Sequence, residues 1–119
     1  MELNVISLTI PDGANVILGQ SHFIKTVEDL YEIMVGISSQ VKFGLAFSEA
    51  SGPCLIRKAG NDPELEAIAV ENARLVAAGH TFHIVLKDAF PINFLPAIKA
   101  CPEVCGIFCA TANPVQIIV

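Results

Sequence analysis

Between Val41 and Ser48 the side chains alternate without a break: Val41, Phe43, Leu45 and Phe47 fall on one side of an extended chain, and Lys42, Gly44, Ala46 and Ser48 on the other. That period of two belongs to a strand, and a strand so bulky on one face must bury that face against a core. The second face is small and polar, suited to close approach by a ligand or by backbone. After Ala50-Ser51-Gly52-Pro53 the run from Cys54 to Lys58 predicts the returning strand of a hairpin. Asn61-Asp62-Pro63-Glu64 then opens a helix, with Asp62 as N-cap, Pro63 at the first helical position and Gly79 as the C-terminal cap.

The remaining segments alternate in the same manner. Ile6, Leu8 and Ile10 mark a half-buried strand within Glu2 to Ile10, Pro11-Asp12-Gly13 is a turn, and Asn15 to Gly19 is expected to return as its hairpin partner. Val27, Leu30, Tyr31, Met34 and Ile37 recur at helical spacing, with Thr26 and Asp29 placed as a capping box. His80 to Lys87 reads as a strand, Pro91 to Ala100 as a short helix, and Gly106 to Ala110 and Pro114 to Val119 as strands. The order predicts one α/β domain over 1–119, a sandwich in which helices cover both faces of a mixed sheet. Hairpins would make some neighbours antiparallel, and helical crossovers others parallel.

Composition narrows the function. Charged residues make up 16% and hydrophobic ones 53%, against about 25% charged in an ordinary soluble domain. A net charge of −5 with seven Lys plus Arg excludes a duplex nucleic-acid partner, which requires a dense basic surface. The longest uncharged stretch, the sixteen residues Val104 to Val119, is too short for a membrane helix and is interrupted by Asn113-Pro114 and Gln116. The start Met1-Glu2-Leu3-Asn4 lacks the basic and apolar regions of a secretory signal. A cytoplasmic protein is expected, with Cys54, Cys101, Cys105 and Cys109 as thiols. The surplus apolar surface then meets other copies of the chain, or a further C-terminal segment: the last strand stops without a turn or polar tail, as in a truncated chain.

Four groups of residues bear on chemistry. Gly19-Gln20-Ser21-His22-Phe23-Ile24-Lys25-Thr26 approaches a phosphate-binding P-loop but has Ile24 where the motif needs glycine, which favours an ordinary loop and a capped helix. Glu49-Ala50-Ser51-Gly52-Pro53 with Arg57-Lys58-Ala59-Gly60-Asn61-Asp62 brings a carboxylate, a hydroxyl, two glycines, two cations and a helix N-terminus together. Those are the groups that hold an anion, and a hairpin with a solvated basic edge is the alternative. Cys101, Cys105 and Cys109 are expected as small buried hydrophobes. His80 and His83, three apart on a strand, point to opposite faces and share no metal, which leaves His22 as the candidate functional imidazole.

Three stretches, Phe43-Gly44-Leu45-Ala46-Phe47-Ser48-Glu49-Ala50-Ser51-Gly52-Pro53, then Arg57 with Gly60-Asn61-Asp62, and Cys109-Ala110-Thr111-Ala112-Asn113-Pro114, closely resemble the adenosine-specific kinase family of archaea and thermophilic bacteria. The resemblance runs from Met1 to Val119, and members of that family are somewhat longer at the C-terminus. It implies an α/β sandwich, a homo-oligomer (a trimer or hexamer is expected), and binding of adenosine or AMP. In that reading the ligand lies at the end of the Val41 to Arg57 hairpin, beside the helix opening at Asp62. Arg57 and the amides around Ser51 and Gly52 hold phosphate, Lys42 or Lys25 adds charge, and Phe47 or Phe43 stacks the adenine. Asn61, His22 and Asn113 complete the ligand-binding set. Asp62 or Glu49 acts as general base toward a ribose hydroxyl, with Mg²⁺ and ATP as cofactors. The alternative is a nucleotide-binding or sensing oligomer that uses the same pocket without turnover.

Overall fold

The structure, a computed structural model, describes residues 2–49 and 55–119. Its elements follow the predicted order: β1 (Val5–Ser7), β2 (Asn15–Ser21), α1 (Thr26–Ile37), β3 (Lys42–Ser48), β4 (Ile56–Gly60), α2 (Pro63–Val76), β5 (Thr81–Lys87), a 3₁₀ turn (Pro91–Asn93), α3 (Leu95–Ala100), β6 (Val104–Thr111) and β7 (Gln116–Ile118). Five strands form one sheet in the order β4-β3-β5-β2-β6, and β1 pairs with β7 in a separate ribbon.

Two pairing expectations are corrected. Every neighbouring pair in the larger sheet is antiparallel, so the sheet is not mixed. Each helix connects two strands that run in the same direction, but an antiparallel strand always lies between them: β5 between β2 and β3, β3 between β4 and β5, and β2 between β5 and β6. β1 does not form a hairpin with β2; it pairs with β7 through Val5 and Ile118, Ile6 and Ile117, and Ser7 and Gln116. The Asp12-Gly13 turn lies between them, with Gly13 at φ 80, but it only redirects the chain into the large sheet.

The sheet is covered on both faces. On one, Leu45, Ile84 and Ile17 lie in register across three strands and join Phe43, Phe47, Phe82 and Leu86 against Val27, Leu30 and Met34 of α1 and Ile98 of α3. On the other, Ala46, Val85 and Val16 meet Leu65, Ala69 and Ala73 of α2. The small face of β3 is therefore filled by backbone and not by ligand. A Cβ on Gly44 would collide with Leu65 and Glu66 of α2. The α2-side core is finished by Ile10 and Val115, and Asn72 clips the chain after β1 by accepting from Thr9 N at 2.8 Å and donating to Thr9 O at 3.0 Å.

Helix ends follow local chemistry with two corrections. Asp62 caps α2 as expected, its carboxylate accepting from Leu65 N at 3.0 Å. The helix stops at Ala77, which takes the left-handed conformation at φ 53, two residues before Gly79. Thr26 forms no capping box: Lys25 is the N-cap, and the Thr26 hydroxyl instead shares a 2.6 Å hydrogen bond with Ser21. Among the described residues, no helix is long and apolar enough to cross a membrane.

Candidate functional site

An antiparallel sheet gathers alternate strand ends on one rim. Here β2 and β3 finish, and β4, β5 and β6 begin, at the same edge of the sheet. Backbone bonds tie the connecting segments together: Ser21 N donates to His80 O (2.9 Å), His80 N to Ser48 O (2.7 Å), and His22 N to Glu103 O (3.2 Å). The His22 and His80 rings meet edge to face at 5.4 Å. His80 holds φ 62, a left-handed conformation that costs a side-chain-bearing residue energy and tends to collect at functional sites.

A cleft of about 630 Å³ opens beside this rim, between α1 and β4. Lys25 and Tyr31 of the α1 side face Arg57, Lys58 and Ala59 of β4 across it, with Glu28 and Glu32 on the helix wall. It thus holds three of the chain's seven basic side chains. Arg57 is opposite Phe47 in the β3–β4 register and so projects on the α1 side, not over Gly44 and Ala46 as the spacing predicts. Its Nε donates to Glu49 Oε1 at 2.9 Å, which keeps the guanidinium oriented at the mouth of the cleft.

Behind the rim a second polar group joins α1 to the start of β6. Asp29, Cys101 and Glu103 present ligand atoms within 4.8 Å of one another, and the Cys101 thiol donates to Glu103 Oε2 at 3.1 Å. The carboxyl of Asp29 is raised above its usual range, first by its hydrogen bond with Glu103 and then by burial. Glu103 is lowered, by hydrogen bonds from Asp29 and Cys101. The shared hydrogen bond thus favours the protonated form of Asp29 and the ionised form of Glu103. Burial pushes the Cys101 thiol up to about 11. Ser21 donates to the Glu103 carbonyl at 2.9 Å, which locks the loop before α1 against this cluster.

Of the residues expected from sequence, His22, Lys25, Glu49 and Arg57 come together at this rim. Ser51 and Gly52, in the β3–β4 connection, lie outside the described residues, as does Cys54. Lys42, Asn61 and Asp62 sit at the far end of the same hairpin, on the order of 15 Å away along five residues of β4. Asn61 spends its amide on β3, accepting from Phe43 N and donating to Val41 O, both at 2.8 Å. Asp62 is engaged as the α2 cap, and Lys42 faces Asp88 at 3.8 Å in solvent. Asn113 follows β6, again at the far end, where its N–H donates to Thr111 Oγ1 at 3.0 Å. Phe47 and Phe43 are fully buried in the core and have no ring face free for adenine.

The near match to a P-loop is resolved in the same way. Gly19 to Ser21 continue β2, so no glycine-rich loop wraps an anion there. His83 lies on β5 facing α2, beside Leu18 and Ala46, and is separated from His80. Cys101 is buried, whereas Cys109 is half-buried and Cys105 exposed, because β6 is a sheet edge. Lys58, one of the two cations of the Glu49 to Asp62 group, does line the cleft; Tyr31 is hidden in sequence because it sits in the helix's apolar pattern. The Asp29 and Glu103 pair carries no local signal, since it joins segments far apart in the chain.

Comparison with known proteins places the chain in a family. A family model for adenosine specific kinase matches residues 6–119, and the chain belongs to that family. No protein of curated function matches it. It is similar to the PH1918 protein from Pyrococcus horikoshii OT3, whose crystal structure superposes with a TM-score of 0.94 at 47% identity, over 99% of this chain and 73% of that one.

Proposed function

We propose that the protein binds adenosine and AMP in the cleft between α1 and β4 and transfers the γ-phosphoryl group of ATP to adenosine. The observation that carries this reading is the convergence of Lys25, Arg57 and Lys58 beside Tyr31 in a chain otherwise poor in cations. Arg57 and the two lysines take the phosphate, and the Tyr31 ring flanks the base. An anion entering the cleft competes with Glu49 for the Arg57 fork. The released carboxylate is then placed to accept the proton of a ribose hydroxyl. In the transfer that hydroxyl oxygen bonds to the γ-phosphorus, the bond to the β–γ bridging oxygen breaks, and ADP leaves with the electron pair.

Asp29, Cys101 and Glu103 are the group of three potential ligands that the described residues bring together, but a thiol that burial pushes up to about 11 does not fit Mg²⁺, which requires oxygen ligands. The metal therefore enters on ATP, as part of the substrate. The reading places the reaction in the cytoplasm, in keeping with the unpaired Cys101, Cys105 and Cys109. Large apolar side chains left in solvent, among them Leu55, Phe90, Ile92 and Phe108, support a homo-oligomer, a trimer or hexamer. Light scattering at micromolar concentration checks this, and a 12.7 kDa particle would contradict it.

A coupled assay of adenosine with ATP, run beside AMP-dependent thermal shift, tests the function. AMP formation supports the kinase, and stabilisation by AMP without turnover supports a nucleotide sensor. Arg57→Lys keeps the charge and loses the bidentate fork. A charge-assisted hydrogen bond is worth about 1.5–3 kcal/mol, so the variant is expected to bind AMP roughly ten- to a hundredfold more weakly, with adenosine affinity and melting temperature little changed. Equal loss for both ligands would move Arg57 to the nucleoside.

A further inference from the structure

The opposite face of β4 borders a second and larger depression, of about 1060 Å³, between the C-terminal half of α2 and the rim. Ile56, Val70 and Ala73 make its floor and wall apolar, and Lys58 and Arg74 bring positive charge to it. Ser48 forms part of the lining. Ser48 is 2% exposed, and among the described residues its hydroxyl has no hydrogen-bond partner. Buried hydroxyls are nearly always paired, and one left open on the wall of a cavity is a bond kept for an occupant. The cavity's size is that of a small-molecule site, and its pattern of apolar walls with a few polar groups is the usual one.

The two cavities flank one strand. In the β3–β4 register Arg57 faces the α1 cleft, whereas Ile56 and Lys58, opposite Ser48 and Ala46, face α2. Lys58 lines both cavities, because β4 is the sheet edge and its long side chain reaches either side. Both cavities lie against the strand that the 49–55 connection enters. A phosphoryl transferase needs two such sites whose mouths adjoin, one for each substrate.

We infer that the depression between α2 and β4 is a second nucleotide site, which holds the purine nucleoside triphosphate donor. This inference rests on the kinase reading. The flat apolar trough takes the purine, Ser48 bonds to a ring nitrogen or exocyclic amine, and Arg74 and Lys58 hold the phosphates. Arg74 is free to do so, since its present partner Glu71 is 3.8 Å away at an exposed position and such a pair is weak. Lys58, common to both cavities, bridges the phosphates of the donor and the acceptor.

Calorimetric titration with a non-hydrolysable ATP analogue plus Mg²⁺, before and after saturation with AMP, tests it. The expected result is one analogue bound per chain that AMP does not displace. Arg74→Glu, at an exposed position where folding is not at risk, should weaken the analogue at least tenfold and leave adenosine unchanged. Ser48→Val should weaken it severalfold in a protein that melts normally. Competitive displacement by AMP, or analogue affinity indifferent to Arg74→Glu, overturns the inference. So does a change in oligomeric mass in place of analogue affinity, which would make the depression a contact between copies. Analogue binding that depends on Arg74 in a protein with no affinity for adenosine would uphold the site and sink the kinase reading. Adenosine binding without analogue binding would overturn the site and leave the acceptor cleft standing.

Discussion

Gly44→Ala should lower stability by about 3 kcal/mol, the upper part of the usual range for overpacking a core. A methyl group at this position would fall on the backbone of Leu65 and Glu66 in the first turn of α2. Side chains can swing away from an intruder, but a helix backbone anchored by the Asp62 cap and by Leu65 in the core cannot. Relief requires moving α2 off β3, which opens the packing around Ala69 and Ala73. Gly36→Ala supplies the contrast: it lies in α1, a Cβ there meets nothing within 4 Å, and a gain of about 0.5–1 kcal/mol is expected from helix propensity. Urea midpoints measure both. A Gly44→Ala midpoint equal to that of the parent protein would mean that α2 does not rest on β3 this closely.

His83 should make the fold sensitive to acid. His83 is 2% exposed, its Nε2 has no partner among the described residues, and burial lowers its pKa from 6.5 to about 4. Above pH 6.5 the ring is neutral whether the chain is folded or not, and it contributes no pH dependence. Between pH 6.5 and 4 the unfolded chain takes up a proton that the folded chain refuses, so stability falls as pH falls, by about 3 kcal/mol over the window. Below pH 4 both states are protonated and the loss is complete. Comparing the parent with His83→Leu isolates the effect, because Asp29, Glu103 and the other carboxyls titrate in both proteins. The stability difference should shift against the parent by about 3 kcal/mol between pH 7.5 and 4. A flat difference would show that the folded protein protonates this ring readily.

The sequence is most informative where its signals are local. The alternation in Val41 to Ser48, the helical spacing from Val27 to Ile37 and the Asp62-Pro63 start each depend on residues within a turn or two, and each marks a real element. Strand partners are not local. β1 follows the turn rule up to Asp12-Gly13 and then finds β7, because Ile6 and Ile117 can be covered together and β2 is already flanked on both sides by β5 and β6. The face of Arg57 is another non-local property: the apolar spacing of Cys54 and Ile56 predicts Arg57 on the side of Gly44 and Ala46, but the β3–β4 register places it opposite Phe47 and puts Ile56 opposite Ser48. Half of the site was legible because Glu49 and Arg57 flank one hairpin connection. The partners contributed by α1 and β6, Tyr31 and the Asp29–Glu103 pair, become neighbours only when the sheet assembles.

The ribbon of β1 and β7 has a kinetic consequence. Asn4 and Val119 exchange backbone hydrogen bonds of 2.8 and 2.9 Å although nearly the whole chain separates them. Closing so long a loop in an unfolded chain costs roughly 4 kcal/mol of entropy, more than a three-residue ribbon returns. Once β2 has paired with β6, however, only residues 8–14 and 112–115 remain to be closed. The clasp must therefore form after the sheet and open before it. The amides of Asn4 and Val119 exchange with solvent through this early opening, while those of Ile17 and Ile84 wait for the whole domain to unfold.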